Sequence, residues 1–505
     1  MVVLLLALAS AGCGDDERQD AATDRDAGPG SGNVGSAPVE EVDPEFRVDP
    51  DCFDVDIGGL DPEAVTCGTV TVPLRHADPA AGTIELAVAV LAGSEAERFD
   101  HPTLLLGGSP GGVMVEPFLT LLGPRIAYDV GPDLIVLDQR GVGLSRPALD
   151  CPELAELGTR IVEDPAAELA AIGACGDRLR AEGMELDAFH HLANARDVDL
   201  VRRALDEERV DVRAISYGTM VALLAAAEHP EGIRSLVLDA PIDPTMTIVQ
   251  EAAESDRMVR HLDERCRGDD ACIAEVGDLD AALDETFGRL ATEPEEATVI
   301  VGHRQLTVTV GPEEFAHALV LLGGDPEAIT LLPAVVRRAR DGDLDPLLRR
   351  TLHLSVEGVS YGMAYSMLCS GIPEDLEVQL ATLRDDPREL VITRWLAPQQ
   401  QEICDVWDVP ASFDPAAVEL DIEIPALVVT GGLDLITPPL HGERVHAALP
   451  ASQLVEVPDS VHAPLEQLGI CGREIAAAFL LDPEAPVDAS CVGERSVTFA
   501  GELRR

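Results

Sequence analysis

The chain has 505 residues, room for one large domain with an insertion or for two or three ordinary ones. It carries 92 acidic against 36 basic residues, and a formal net charge of −56 argues against gripping nucleic acid or anionic lipid through a basic patch. Every basic residue is arginine, so Schiff-base and pyridoxal chemistry, serine–lysine dyads and P-loop nucleotide binding, which need lysine, are excluded. The acidity reads as a well-solvated surface, or functionally as attraction for cationic substrates such as peptides with a free amine.

Met1–Ala11 is an apolar run too short to span a bilayer as a permanent helix, and reads as a signal-peptide core. It ends Ser10-Ala11-Gly12-Cys13, a lipobox-like close to a signal peptide at 1–13 in which Cys13 takes lipid; the plain alternative is a secretory signal with an incidental cysteine. Residues 14–48, rich in Asp, Gly, Ser and Ala, read as a disordered acidic tether. The expected location is the bacterial cell envelope as a lipoprotein, or the medium, with membrane contact only through the lipid anchor.

Of the 11 cysteines, ten remain once Cys13 is set aside, and in an exported chain they suggest five disulfides. Pairing in sequence order is expected (Cys52–Cys67, Cys151–Cys175, Cys266–Cys272, Cys369–Cys404 and Cys471–Cys491), although spacing alone does not fix connectivity. None forms a C-x-x-C pair or stands at zinc-ligand spacing from a histidine, so no metal site is expected.

From Cys67 the pattern is β: CGTVTVPLRH and TIELAVAVLA are two strands split by a turn. Pro102–Leu106 then runs into Gly107-Gly108-Ser109-Pro110-Gly111-Gly112, where backbone N–H groups can approach a ligand closely. DLIVL (133–137) is a buried strand ending in DQRGVGLS, and residues 152–206 read as helices. Val212–Ile215 leads into Ser216, and a helical run follows from Thr219, the strand–turn–helix layout of a nucleophile elbow with Ala214 in the place of its first glycine. SLVLD (235–239) is the next strand.

Strands alternating with helices predict a mostly parallel, buried sheet. The rhythm breaks after Pro244. Residues 245–415 read as a mainly helical lid with one β-like piece, ATVIVGHRQLTVTV, inserted between a first core part (49–244) and a second (416–505). β/α rhythm returns with PALVVT and QLVEV.

Those returning strands end in the partners a serine nucleophile needs. PALVVT is followed by a loop holding Asp434, and QLVEV by a loop holding His462, 28 residues on. At the carboxyl edge of a parallel sheet they share one side with Ser216. His462 would take the serine proton and return it to the leaving group, while Asp434 fixes the imidazole tautomer and stabilises the imidazolium. Backbone N–H groups of Tyr217 and the glycine loop, near Gly108, would hold the oxyanion, each such donor contributing ~3 kcal/mol.

LLLGGSPGG, DQRGVGLS, AISYGT, LDAPIDP, TGGLDLITPP and the His462 segment together resemble the α/β-hydrolases of the proline iminopeptidase and tripeptidyl aminopeptidase group. The likeness runs over about residues 50–495, and Cys369, the Cys404–Trp407 stretch and Cys471/Cys491 resemble its secreted, TAP-like branch. The resemblance implies an α/β-hydrolase fold, catalysis by Ser216, Asp434 and His462 in that chain order, and hydrolysis at the amino end of peptides, or of related amides and esters, without cofactor. Departures are Ala214 for glycine, G-G-S-P-G-G where G-G-P-G-G is usual, and Ala463 after the histidine where glycine is common.

Three readings follow: an aminopeptidase whose lid carboxylates (Glu251, Glu254, Glu313, Glu314 or Glu357) hold the substrate amine, an esterase or small-amide hydrolase on the same scaffold, and a non-catalytic surface-binding protein. The expected partner is a small peptide or ester substrate.

Overall fold

The computed structural model describes residues 44–499 apart from 58, 94–98, 123–130, 158–164, 247, 302–303, 352–357, 372–392, 415–416 and 495–498. The apolar leader, Cys13 and most of the tether lie outside the described residues. Strands β1 (Phe46–Asp49), β2 (Val65–Pro73), β3 (Thr83–Leu91), β4 (Thr103–Leu106), β5 (Leu134–Leu137), β6 (Val210–Ile215), β7 (Ile233–Asp239), β10 (Ala426–Gly431) and β11 (Ser452–Val457) form one nine-stranded sheet. Its order is β1-β2-β3-β5-β4-β6-β7-β10-β11. Contacts from β1 through β5 along the sheet are antiparallel, and those from β5 onward are parallel. β8 (Glu295–Val301) and β9 (Arg304–Val310) make a separate hairpin.

The central strands are apolar on both faces because helices cover both. β10 (ALVVTG) is buried at every position, and the helix Tyr217–Glu228 behind β6 is buried from Tyr217 to Ala226. Register then places the site: Leu106 pairs with Ala214, Ile215 with Asp239, and Asp239 with Val429. The carboxyl ends of β4, β6, β7 and β10 therefore lie in one row, and the loops leaving them meet at one edge of the sheet.

Two boundaries differ from the sequence reading. β1 starts inside the stretch read as tether, because Phe46–Asp49 finds an unpaired edge of β2 on which to extend the ladder. The 245–415 segment does not bury itself as one body. Helices Ile248–Arg267, Leu279–Thr292, Pro312–Gly323 and Ala328–Arg340 share a core of their own with the β8–β9 hairpin. Helices Tyr361–Ser370 and Thr393–Trp407 instead send Met363, Tyr365, Met367, Ile403 and Trp407 into the main core. Helical spacing shows that a helix has an apolar face; it does not show which core takes that face.

Leu433, Leu435 and Val461, from the two loops that follow β10 and β11, are part of the lid's core. The core of those four helices thus rests directly on the loops carrying Asp434 and His462. Five disulfides join Cys52–Cys67, Cys151–Cys175, Cys266–Cys272, Cys369–Cys404 and Cys471–Cys491, each to its next neighbour in the chain.

Candidate active site

Ser216 sits where β6 stops, at φ 53° and ψ −126°, a region L-residues occupy only when their surroundings force it. Those surroundings are visible. Its N–H donates to the Asp239 carbonyl at 2.9 Å, and the Thr219 hydroxyl donates to the Ser216 carbonyl while accepting the Ile242 N–H at 2.9 Å. Gly218 must lack a side chain, since a Cβ there would lie 2.5 Å from the Leu106 carbonyl oxygen. Ala214, in place of the first elbow glycine, is fully buried within the strand, and its methyl is accommodated there.

The other two residues come from the loops after β10 and β11. His462 Nδ1 lies 2.8 Å from Asp434 Oδ2. Asp434 has no exposed surface, and its Oδ1 accepts the N–H groups of Ile436 (2.8 Å) and Thr437 (3.0 Å). The Thr437 hydroxyl donates to Asp434 Oδ2 at 2.8 Å and stands 3.2 Å from His462 Nδ1. Burial alone would lower the His462 pKa; the charge and hydrogen bond of Asp434, with Asp239 and Glu466 further off, outweigh burial and raise it. With Nδ1 committed to Asp434, Nε2 is the nitrogen left to face a nucleophile. Ala463 follows in the left-handed region (φ 64°, ψ 58°), which explains why a glycine suits this place.

The glycine loop is built tightly. Gly111, at φ 73°, comes so close to the start of the helix Tyr361–Ser370 that a Cβ would lie 2.5 Å from the Ser360 carbonyl oxygen. Asp138, from DQRGVGLS, holds the next turn by accepting the N–H groups of Met114 (2.6 Å) and Val115 (2.9 Å) on one oxygen and Leu144 (2.8 Å) on the other. One of the two expected oxyanion donors is already taken. The Tyr217 N–H donates to the Gly108 carbonyl at 3.1 Å, so the two residues lie side by side and that N–H is engaged. Peptide orientation at a glycine depends on a backbone rotation that leaves no mark in residue types.

Of the lid carboxylates, Glu254 is buried and paired with Arg257 at 2.7 Å, and Glu314 accepts the Gly311 N–H at 2.7 Å. Glu313 is pushed up to about 7 by burial and by the neighbouring Glu314 and Glu402. Glu251 and Glu357 lie outside the described side chains.

Two family matches agree with this arrangement: the alpha/beta hydrolase fold matches residues 102–264, and the TAP-like protein family matches residues 388–491. The chain has the α/β-hydrolase fold, with a TAP-like region at 388–491. The first match takes in the glycine loop and the elbow, and the second the loops holding Asp434 and His462. The hydrolase is similar to the tripeptidyl aminopeptidase of Streptomyces coelicolor, 27% identical over 211 residues (39% of this chain and 39% of the relative). It is similar to the serine protease Hip1 of Mycobacterium bovis, 27% identical over 199 residues (36% and 37%). Carboxylesterase B of Mycobacterium tuberculosis is 29% identical over 238 residues (44% and 44%). The matched part of the chain thus spans less than half the length of each of these relatives.

Two residues of the hydrolase site escape motif reasoning. Thr437 lies within TGGLDLITPP, and its signal is a hydroxyl three positions after the acid, the reach of a local side-chain hydrogen bond. Asp239, in LDAPIDP, is a carboxylate at the end of an otherwise apolar strand, a polar residue where burial is complete.

Proposed function

We propose that this hydrolase is an exported serine hydrolase that releases residues or short peptides from the amino ends of peptides, with Ser216, His462 and Asp434 as its reacting unit. The observation that carries this reading is the 2.8 Å contact of His462 Nδ1 with the buried Asp434 carboxylate, in the same row of loops as the strained Ser216 turn. His462 Nε2 takes the proton of the Ser216 hydroxyl as its oxygen attacks the scissile carbonyl carbon. The Asp434 carboxylate stabilises the imidazolium that forms, and His462 then passes the proton to the departing amine. Water repeats the sequence on the acyl-enzyme. None of these steps calls on a cofactor. Export is supported by the five disulfides, which persist in oxidising compartments, and lipidation at Cys13 belongs to the same proposal.

The amino-end preference draws on the relative named tripeptidyl aminopeptidase and on the surplus of lid carboxylates. A panel of aminoacyl, tripeptidyl, amino-acetylated and acyl chromogenic substrates tests it. Free-amine substrates should be turned over far faster than acetylated ones; equal rates would overturn the aminopeptidase reading. The relative named carboxylesterase B favours the second reading, an esterase, for which acyl esters would lead the panel. Ser216→Ala should abolish both turnover and fluorophosphonate labelling in folded protein. Retained turnover in the purified variant would remove Ser216 from the reaction.

A further inference from the structure

In the sheet, β7 lies between the strands that lead to Ser216 and Asp434, and it ends in Asp239. This residue is 2% exposed and joins two parts of the site. Its main-chain carbonyl accepts the Ser216 N–H at 2.9 Å, and its Oδ1 accepts the Leu465 N–H at 3.2 Å, three residues beyond His462. Its Oδ2 is buried with no hydrogen-bond partner among the described residues. Buried carboxylate oxygens are rarely left without a donor, and such an exception in a native fold asks for a reason.

A purely structural staple does not supply one. The link to Leu465 uses only Oδ1, and an asparagine would make it without carrying charge into the interior. The charged groups facing Asp239 are Arg213 on β6, and His462 and Glu466 after β11, with Asp434 bonded to the same imidazole. Burial pushes the Asp239 carboxyl up to about 7; the Leu465 N–H, Arg213 and His462 pull it down only in part. It therefore changes charge in the range where a histidine base does.

We propose that Asp239 is a positioning residue for His462, clamping the histidine loop to the nucleophile turn and, when ionised, placing a second negative charge beside the imidazolium formed in the reaction. This rests on Ser216, His462 and Asp434 being the reacting unit. As pH rises past 7 the Asp239 carboxylate forms, raises the basicity of His462 and stabilises its protonated state in the transition state. At lower pH Asp239 is a neutral acid and that help is withdrawn.

Asp239→Asn tests the charge while keeping an oxygen for the Leu465 N–H. Because His462 loses a negative neighbour, the acid limb of the kcat/KM profile should move to lower pH by roughly one unit, and the plateau above it should fall about tenfold. A limb that does not move overturns the proposal, whatever the plateau does, since a scaffold role alone lowers activity without altering the pH profile. Fluorophosphonate labelling of wild-type Ser216 separates the two readings: no labelling defeats the reacting unit, whereas labelling with an unmoved Asp239→Asn limb defeats only the role of Asp239. If the variant does not fold, the downfield His462 Nδ1–H proton resonance of the wild-type protein, assigned by its loss in His462→Gln, serves instead. Two titration steps between pH 5 and 9 support the proposal, and a single step overturns it.

Discussion

Thr437→Val removes one hydroxyl from the site and little else, because valine has nearly the same shape and Thr437 is 3% exposed. Asp434 now accepts four hydrogen bonds: the N–H groups of Ile436 and Thr437, the Thr437 hydroxyl at 2.8 Å, and His462 Nδ1 at 2.8 Å. The variant keeps three and leaves Oδ2 to the imidazole alone. A hydrogen bond to a charged group is worth about 1.5–3 kcal/mol, and since Oδ2 keeps its histidine partner the lower end applies to stability. The pH effect has a definite sign. The hydroxyl now shares the negative charge of Oδ2; without it, that charge acts on His462 undiluted and raises the imidazole pKa further. The acid limb of kcat/KM should therefore move to higher pH, opposite to the shift expected for Asp239→Asn. The imidazole, held by one contact fewer, should also cost about tenfold in kcat with KM little changed. Stopped assays with one chromogenic substrate across pH 5–9, beside a thermal melt, measure all of this. A variant with wild-type kcat and an unmoved acid limb would refute the idea that Thr437 holds the acid–base pair.

Two predictions concern stability. Ala463→Gly should raise the melting temperature, because a left-handed alanine costs on the order of 1 kcal/mol that glycine avoids, less glycine's larger entropy loss; a lower melting temperature would show that the Ala463 methyl has packing value. The pH dependence follows from groups held in unusual states. Burial raises Glu168 to about 8 and Asp239 to about 7, so both bind protons more tightly folded than unfolded, and the stability they lend is lost as pH climbs through those values. His462, also raised, loses its contribution in the same direction. Burial lowers His190, His191 and His441 to about 4; their contribution disappears only as pH falls from 6.5 toward 4. Scanning calorimetry should show the melting temperature falling between pH 6.5 and 8.5, and a rise over that interval would contradict the buried-carboxyl account.

The sheet and the order of its loops are legible in the residues. DLIVL and PALVVT are apolar on both faces, which a strand tolerates only under cover on both sides, and each strand runs straight into a loop rich in glycine or turn residues. That juxtaposition brings out Ser216, Asp434 and His462. What escapes is set by rotations and packing that the residue types do not encode. Whether Gly108 turns its carbonyl or its amide toward Tyr217 depends on a single peptide plane. Trp407 and Tyr365 carry the same helical periodicity as the lid helices, yet the main core takes them. The orphan oxygen of Asp239 is set by packing too: Leu465 supplies a donor to Oδ1, and no described group supplies one to Oδ2.

The disulfide pattern bears on how such a chain can be made. Among the described residues the ten cysteines bond in consecutive pairs, over separations of 6 to 35 residues, and no bond is interlaced with another. A chain threaded through a membrane with its amino end first would present its cysteines two by two, each partner being the next thiol to emerge. With Cys13 lipidated, an oxidant that simply joins consecutive thiols then produces the observed set. Reshuffling by an isomerase, needed when early cysteines must wait for late ones, has nothing here to correct.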